Sequence, residues 1–184
     1  MKTGTHRLLQ ELTTQVKSHI EYAISLEKQT EKPLNARITP DSWSILECIE
    51  HLNRYGNFYL PEIEKQINSS HSKPEAQFKS GLLGNYFAES MLPKTKLNKM
   101  KTFKNMNPIY SKLDKSVIQT FISQQKKLLT LLENAEKVSL NKTKTSISIS
   151  TLIKLKLGDT FRFLIYHNER HIQQAQRVLK EVWF

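Results

Sequence analysis

The 184-residue chain has one cysteine, Cys48, and only 5 glycines and 6 prolines. One thiol cannot close a disulfide within the chain, so a cross-linked scaffold is excluded and a reducing cytoplasm is the expected setting. Cys48 lies in Leu46-Glu47-Cys48-Ile49, a segment of helical period, and reads as a small buried hydrophobe. A reactive thiol would need an electropositive, partly exposed environment. Few glycines and prolines mean few tight turns, which argues against a sandwich or barrel and for long helices. No apolar run approaches the roughly 18 residues of a membrane span. The opening Met1-Lys2-Thr3-Gly4-Thr5-His6-Arg7 leads into an amphipathic pattern and not into a signal-peptide core. The expectation is a protein neither exported nor embedded in a membrane.

Hydrophobic residues make up 38% and charged residues 24%, ordinary for a globular protein, and the length suits a single domain over residues 1–184. The formal net charge is +11. Much of the excess is local: Lys94, Lys96, Lys99, Lys101, Lys104 and Lys112 fall in a stretch without a single acid. That stretch has no arginine, the preferred reader of base edges, and carries only Phe103 and Tyr110 as aromatics. Charge alone gives only nonspecific affinity for nucleic acid, so the lysine-rich 94–112 segment reads as a solvated loop, with recruitment of an anionic substrate as the functional alternative.

Leu8, Leu9, Leu12, Val16, Ile20, Ala23 and Leu26 form one stripe of a first helix over about residues 5–29, which Lys32-Pro33-Leu34-Asn35 ends. A second helix opens after Trp43, where Ser44 and Glu47 have the form of a capping box. It continues to about Ile67, with Pro61 kinking it at most. Residues 71–112 are irregular apart from a short helix around Leu82–Met91. A third helix starts near Asp114, its plausible cap, and runs to about Glu136. Residues 138–150 read as a connection. The alternation Ser146-Ile147-Ser148-Ile149-Ser150 is strand-like but too short and isolated to imply a sheet. A turn at Leu152–Leu155 then leads into a last helix over about Leu157–Val182. Four principal helices around one core follow, an all-α bundle with a long irregular connection between helices 2 and 3.

His167-Asn168-Glu169-Arg170-His171 is the strongest local chemical signal. Residues four apart share a helical face, so both imidazoles can grip one ion. Spacing alone does not separate this from incidental surface or core histidines. A third ligand must come from elsewhere, and His6, His19, His51 and His71 are the candidates. His51 sits on the border of the second helix's apolar face. Glu47, Glu50 and Asn168 are candidates to orient imidazole N–H groups; Glu169 and Arg170 are expected to face solvent or pair locally. Tyr55, Tyr59 and Tyr166 are candidate pocket residues.

Trp43-Ser44-Ile45-Leu46-Glu47-Cys48-Ile49-Glu50-His51-Leu52 resembles the second-helix signature of the DinB-like superfamily, and Leu157 to Ala175, with its histidine pair, is similar to that family's last-helix signature. The resemblance implies an up-down-down-up four-helix bundle and a divalent metal, zinc or nickel, held by His51, His167 and His171. It further implies a metal-dependent transferase working with a low-molecular-weight thiol, or a hydrolase, acting on a small molecule, with homodimers common. No catalytic residue is assigned beyond the metal ligands. The alternative is a non-catalytic stress-related or binding protein on the same scaffold.

Overall fold

The structure is a computed structural model that describes residues 1–92 and 102–182. Four long helices carry the fold: α1 (Thr5–Glu27), α3 (Ile45–Asn68), α5 (Ser116–Ala135) and α6 (Leu157–Val182). Two shorter ones, α2 (Glu31–Asn35) and α4 (Leu82–Met91), sit between them. Two small antiparallel ribbons complete it. β1 (Lys2–Gly4) pairs with β2 (Gln77–Lys79), and β3 (Lys144–Ile147) pairs with β4 (Ser150–Lys156). No helix of the described residues is long and apolar enough to cross a membrane.

Around the bundle, α1 and α3 each pack against both α5 and α6, and α4 lies along α6. The contacts fix relative directions. Asn53 meets Val117, Asn57 meets Gln124 and Glu64 meets Lys127, so α3 and α5 run in the same sense. His51 and Tyr59 meet His167 and Phe163 in reverse order, so α3 and α6 run oppositely. Lys115 at the start of α5 binds the carbonyl of Glu27 at the end of α1, so that pair is also antiparallel.

The expected second-helix start is present in full. Ser44 Oγ accepts from the Glu47 N–H, and the Glu47 carboxylate accepts from the Ser44 N–H. Pro61 lies inside α3 without ending it. At the third helix the N-cap position is Lys115, one residue after the expected Asp114, while Asp114 Oδ1 accepts from the N–H of Ser116, the first residue of α5. Three further expectations need correction. Residues 31–35 form a short helix of their own, because Pro33 falls in its first turn, where the missing N–H costs nothing. The 138–150 connection contains β3, and residues 152–155 are strand and not turn. A bulge between Ser146 and Ile147 hides the register, while Ile147 and Leu155 are both buried on the core. The β1–β2 pairing, which joins residues some 75 positions apart, left no local signal.

The core is in two apolar clusters. One gathers Leu8, Leu12, Ile63, Leu128, Phe161 and Leu164; the other gathers Leu26, Ile45, Ile49, Phe121, Ile172 and Ala175. Each long helix changes cluster at a buried polar residue: His19 on α1, His51 and Asn53 on α3, Gln125 on α5, His167 and Asn168 on α6. A polar layer therefore crosses the middle of the bundle. Such groups are tolerated only when partnered, and here His19 binds Glu169 at 3.0 Å while Asn168 donates to Gln125 at 3.2 Å.

Candidate metal centre

The sequence-predicted triad comes together at one end of this polar layer. The candidate ligand atoms of His51, His167 and His171 all lie within 4.8 Å of one another. His6, exposed near the chain start, and His71, exposed in a loop, lie elsewhere, and His19 is turned toward Glu169. The Nε2 atoms of His51 and His167 are 3.1 Å apart. Two nitrogens bound to one tetrahedral zinc at about 2.0–2.1 Å would be separated by roughly 3.3 Å, so the observed spacing suits a shared ion.

Local bonding sets which nitrogen two of the rings offer. His51 Nδ1 lies 2.7 Å from the Met106 carbonyl oxygen, which can only accept, so Nδ1 carries the proton and Nε2 the lone pair. His171 Nδ1 lies 3.0 Å from Gln174 Oε1, which points its Nε2 inward by the same logic. These are the orienting partners that ligating histidines require. The residues expected in that role do other work. Glu50 pairs with Arg54, Asn168 with Gln125, and Glu47 with Ser44, Tyr110 and Arg37. A backbone carbonyl has no side-chain signature, so Met106 left no trace in the sequence. Gln174, three residues after His171, was within reach of a spacing argument.

The segment bearing Met106 is held on several sides. Arg54 donates to the carbonyl of Asn107 at 3.0 Å, and Trp43 Nε1 donates to Asn107 Oδ1 at 3.0 Å. Trp43 also packs its ring against His51 and His171, with centroids 4.6 and 5.5 Å away. Below, Tyr110 accepts the conformational cost of φ 63°, with its N–H bonded to Glu47. Burial alone would raise the Glu47 carboxyl, yet hydrogen bonds from Arg37, Ser44 and Tyr110 outweigh it and hold the group below the usual carboxylate range.

The three imidazoles are kept neutral. Burial drives His51 down to about 4 against a weaker opposing bond from Met106. It drives His171 down to about 3, with His51 adding repulsion. His167 is pushed well below its ordinary value by burial and by both neighbours. Neutral rings expose the lone pairs that a cation needs. The set of three neutral nitrogens on two rigid helices thus fits a divalent ion, and imidazole donors suit zinc, copper, iron or nickel.

The triad opens onto a cavity of about 1140 Å³. Tyr55 and Tyr59 line it, as the sequence suggested; Tyr166 instead lies under the guanidinium of Arg162. Of Arg170 and Glu169, both expected to face solvent or pair locally, Arg170 is buried at the cavity wall, while Glu169 is half-buried, bonded to Gln173 one turn on and to His19. Of the lysine-rich segment, Lys94, Lys96, Lys99 and Lys101 lie outside the described residues, while Lys104 and Lys112 are exposed.

No curated protein and no solved structure shows significant similarity to the chain. The family model of the DinB superfamily matches residues 21–175, which span both histidine-bearing helices and most of the molecule. With that match over a helical bundle whose three histidines converge, the chain belongs to the DinB superfamily.

Proposed function

We propose that the chain binds one divalent ion, zinc or nickel, through His51, His167 and His171 and uses it on a small molecule held in the adjoining cavity. The observation that carries this reading is the convergence of three neutral imidazoles, two with their outer nitrogens already bonded, at the wall of a large cavity. A structural site would be closed by a fourth protein ligand, whereas three ligands leave a position for substrate. Among the described residues no acidic or thiol group joins the three histidines.

When bound, such an ion would supply Lewis-acid stabilisation of an anionic sulfur or oxygen at neutral pH. The chain's own residues do the rest. Met106 and Gln174 fix the ring tautomers, Trp43 and Tyr55 shield two faces of the histidine cluster, and the buried helices hold the nitrogens at fixed spacing. A low-molecular-weight thiol is the co-substrate we favour. Its sulfur, deprotonated to solvent, would form the new bond to an electrophilic carbon as that carbon's leaving group departs. Hydrolysis with water as the nucleophile is the related alternative.

The test is spectroscopic. Cobalt-substituted protein titrated with a simple thiol such as 2-mercaptoethanol is expected to develop an intense sulfur-to-metal absorption in the near ultraviolet. Tight cobalt binding with no spectral response to thiols or to hydroxide would remove the catalytic reading and leave the non-catalytic scaffold.

A further inference from the structure

The cavity beside the triad has two unlike halves, and α6 runs through both. At a rise of about 1.5 Å per residue, Phe163 lies roughly 6 Å before His167 and Arg177 roughly 9 Å beyond His171. All four side chains line the same space. Beyond His171 the lining carries most of the cavity's charged and polar groups, Gln174, Arg177, Glu181, Asp41 and Ser42, beside Ile38 and Val178.

Before His167 it is apolar: Met91, Ile147 and Leu155 contribute aliphatic surface, and an aromatic group stands beside the triad. The ring of Phe163 lies nearly parallel to that of His167, 6° off and 5.9 Å between centroids. Phe163 also meets Tyr59 at 5.6 Å, Tyr55 at 6.4 Å and Phe87 at 6.5 Å. Tyr55 and Tyr59 stack 14° from parallel at 6.2 Å. The wall is assembled from three helices, and the β3–β4 hairpin supports it through the Ser148 N–H bonded to the Tyr59 hydroxyl at 3.2 Å. Tyr55 and Tyr59 are buried by neighbouring protein, while Phe87 and Phe163 stay half-exposed toward the cavity. A ring in offset-stacked or edge-on contact with an aromatic face gains stabilisation beyond its buried area. An apolar pocket with a few convergent polar groups at one end orients its ligand by that polarity.

Resting on the metal-centre reading above, we propose that the site selects a small molecule with a flat, unsaturated group at one end. That group, an aryl ring or conjugated system, lies against Phe163 and Phe87, which Tyr55 and Tyr59 back from behind. A donor atom beside it reaches the triad, and any charged remainder extends toward Gln174 and Arg177. The substrate class is thus a compound that carries an aryl or conjugated group beside a metal-binding donor atom.

Benzohydroxamate and acetohydroxamate present the same donor atoms and differ in the ring, so they serve as probes of the zinc-loaded full chain by calorimetry. Wild type is expected to bind benzohydroxamate at least tenfold tighter. Phe163→Ala and Phe87→Ala are each expected to cut that advantage to about threefold or less, with acetohydroxamate affinity and zinc content unchanged. Phe87 is on α4, and none of its ring contacts is with a histidine, so its variant reads the wall independently of the triad. Equal affinity for the two probes in wild type, or an aryl advantage that survives both substitutions, overturns the inference while leaving the metal centre intact. A chain that retains no zinc before any probe is added overturns both readings, and the zinc measurement identifies that case.

Discussion

The two helices that carry the histidines are each anchored by a buried carboxylate in the first turn, but the anchors differ in reach. On α3, Glu47 binds Arg37 and the N–H groups of Ser44 and Tyr110, so it gathers the chain before the helix and the segment that crosses His51. On α6, Asp159 pairs with Arg162 at 3.2 Å, accepts from the Gly81 N–H at 2.8 Å and binds Ser80, while Arg162 also reaches Asn85 at 3.0 Å. That cluster fastens α4 to α6, and it lies two turns from His167. Arg162 is 2% exposed and Asp159 fully buried, whereas the Arg37 side chain is 26% exposed. One anchor governs the posture of a ligand; the other governs whether a layer of the fold stays docked.

The contrast predicts different losses. Asp159→Ala leaves Arg162 buried without its carboxylate and is expected to cost about 3–5 kcal/mol in denaturant unfolding, the range for a broken buried pair. Protein that remains folded is expected to keep its metal affinity. Glu47→Ala removes a capping box and strands a buried N–H, for a loss of about 2 kcal/mol. Here metal affinity is expected to fall at least tenfold, because the segment holding Met106 against His51 loses its tether. If the two substitutions affect metal affinity equally, the contrast between the anchors is wrong. Gly84→Ala sharpens the α6 side. An added Cβ would stand 2.6 Å from Asp159 Cβ, a clash inside a bonded cluster, with an expected cost of about 2 kcal/mol and no change in metal binding.

Acid separates the groups by window. The triad imidazoles have lowered folded pKa values, so the unfolded chain takes up protons first. Stability of the metal-free protein is therefore expected to fall as pH drops below about 6.5, the unfolded value, and to stop falling on their account near pH 4 for His51 and pH 3 for His171. Glu47, lowered in the fold, contributes stability above about pH 4.5 that is lost below it. His51→Gln is expected to flatten the upper part of a melting-temperature profile and leave the lower part. An unchanged slope between pH 6.5 and 4.5 would show that the triad is not buried as described.

What the sequence made legible follows the range of each interaction. His167 and His171 could be paired by helical period, and Ser44 with Glu47 by a three-residue spacing. His51 could not be distinguished by spacing from three other histidines; its surrounding motif singled it out. Glu169 pairs locally with Gln173, as expected, but its second partner His19 lies 150 positions away on α1, and that contact appears only once α1 and α6 pack. Arg170 is likewise buried by tertiary packing that helix period does not reveal. The hairpin was missed because its bulge breaks the alternation that would have marked both strands. The Asp159 cluster joins α6 to residues 80–85 through a backbone N–H and small polar side chains, none of which has a motif.

Metal content measured on purified, zinc-equilibrated and dialysed protein bears most directly on the whole account. One ion per chain is expected in the wild type and essentially none in His51→Ala, with helical circular dichroism unchanged. A metal-free wild type, or a His51→Ala variant that retains the full complement, would contradict it.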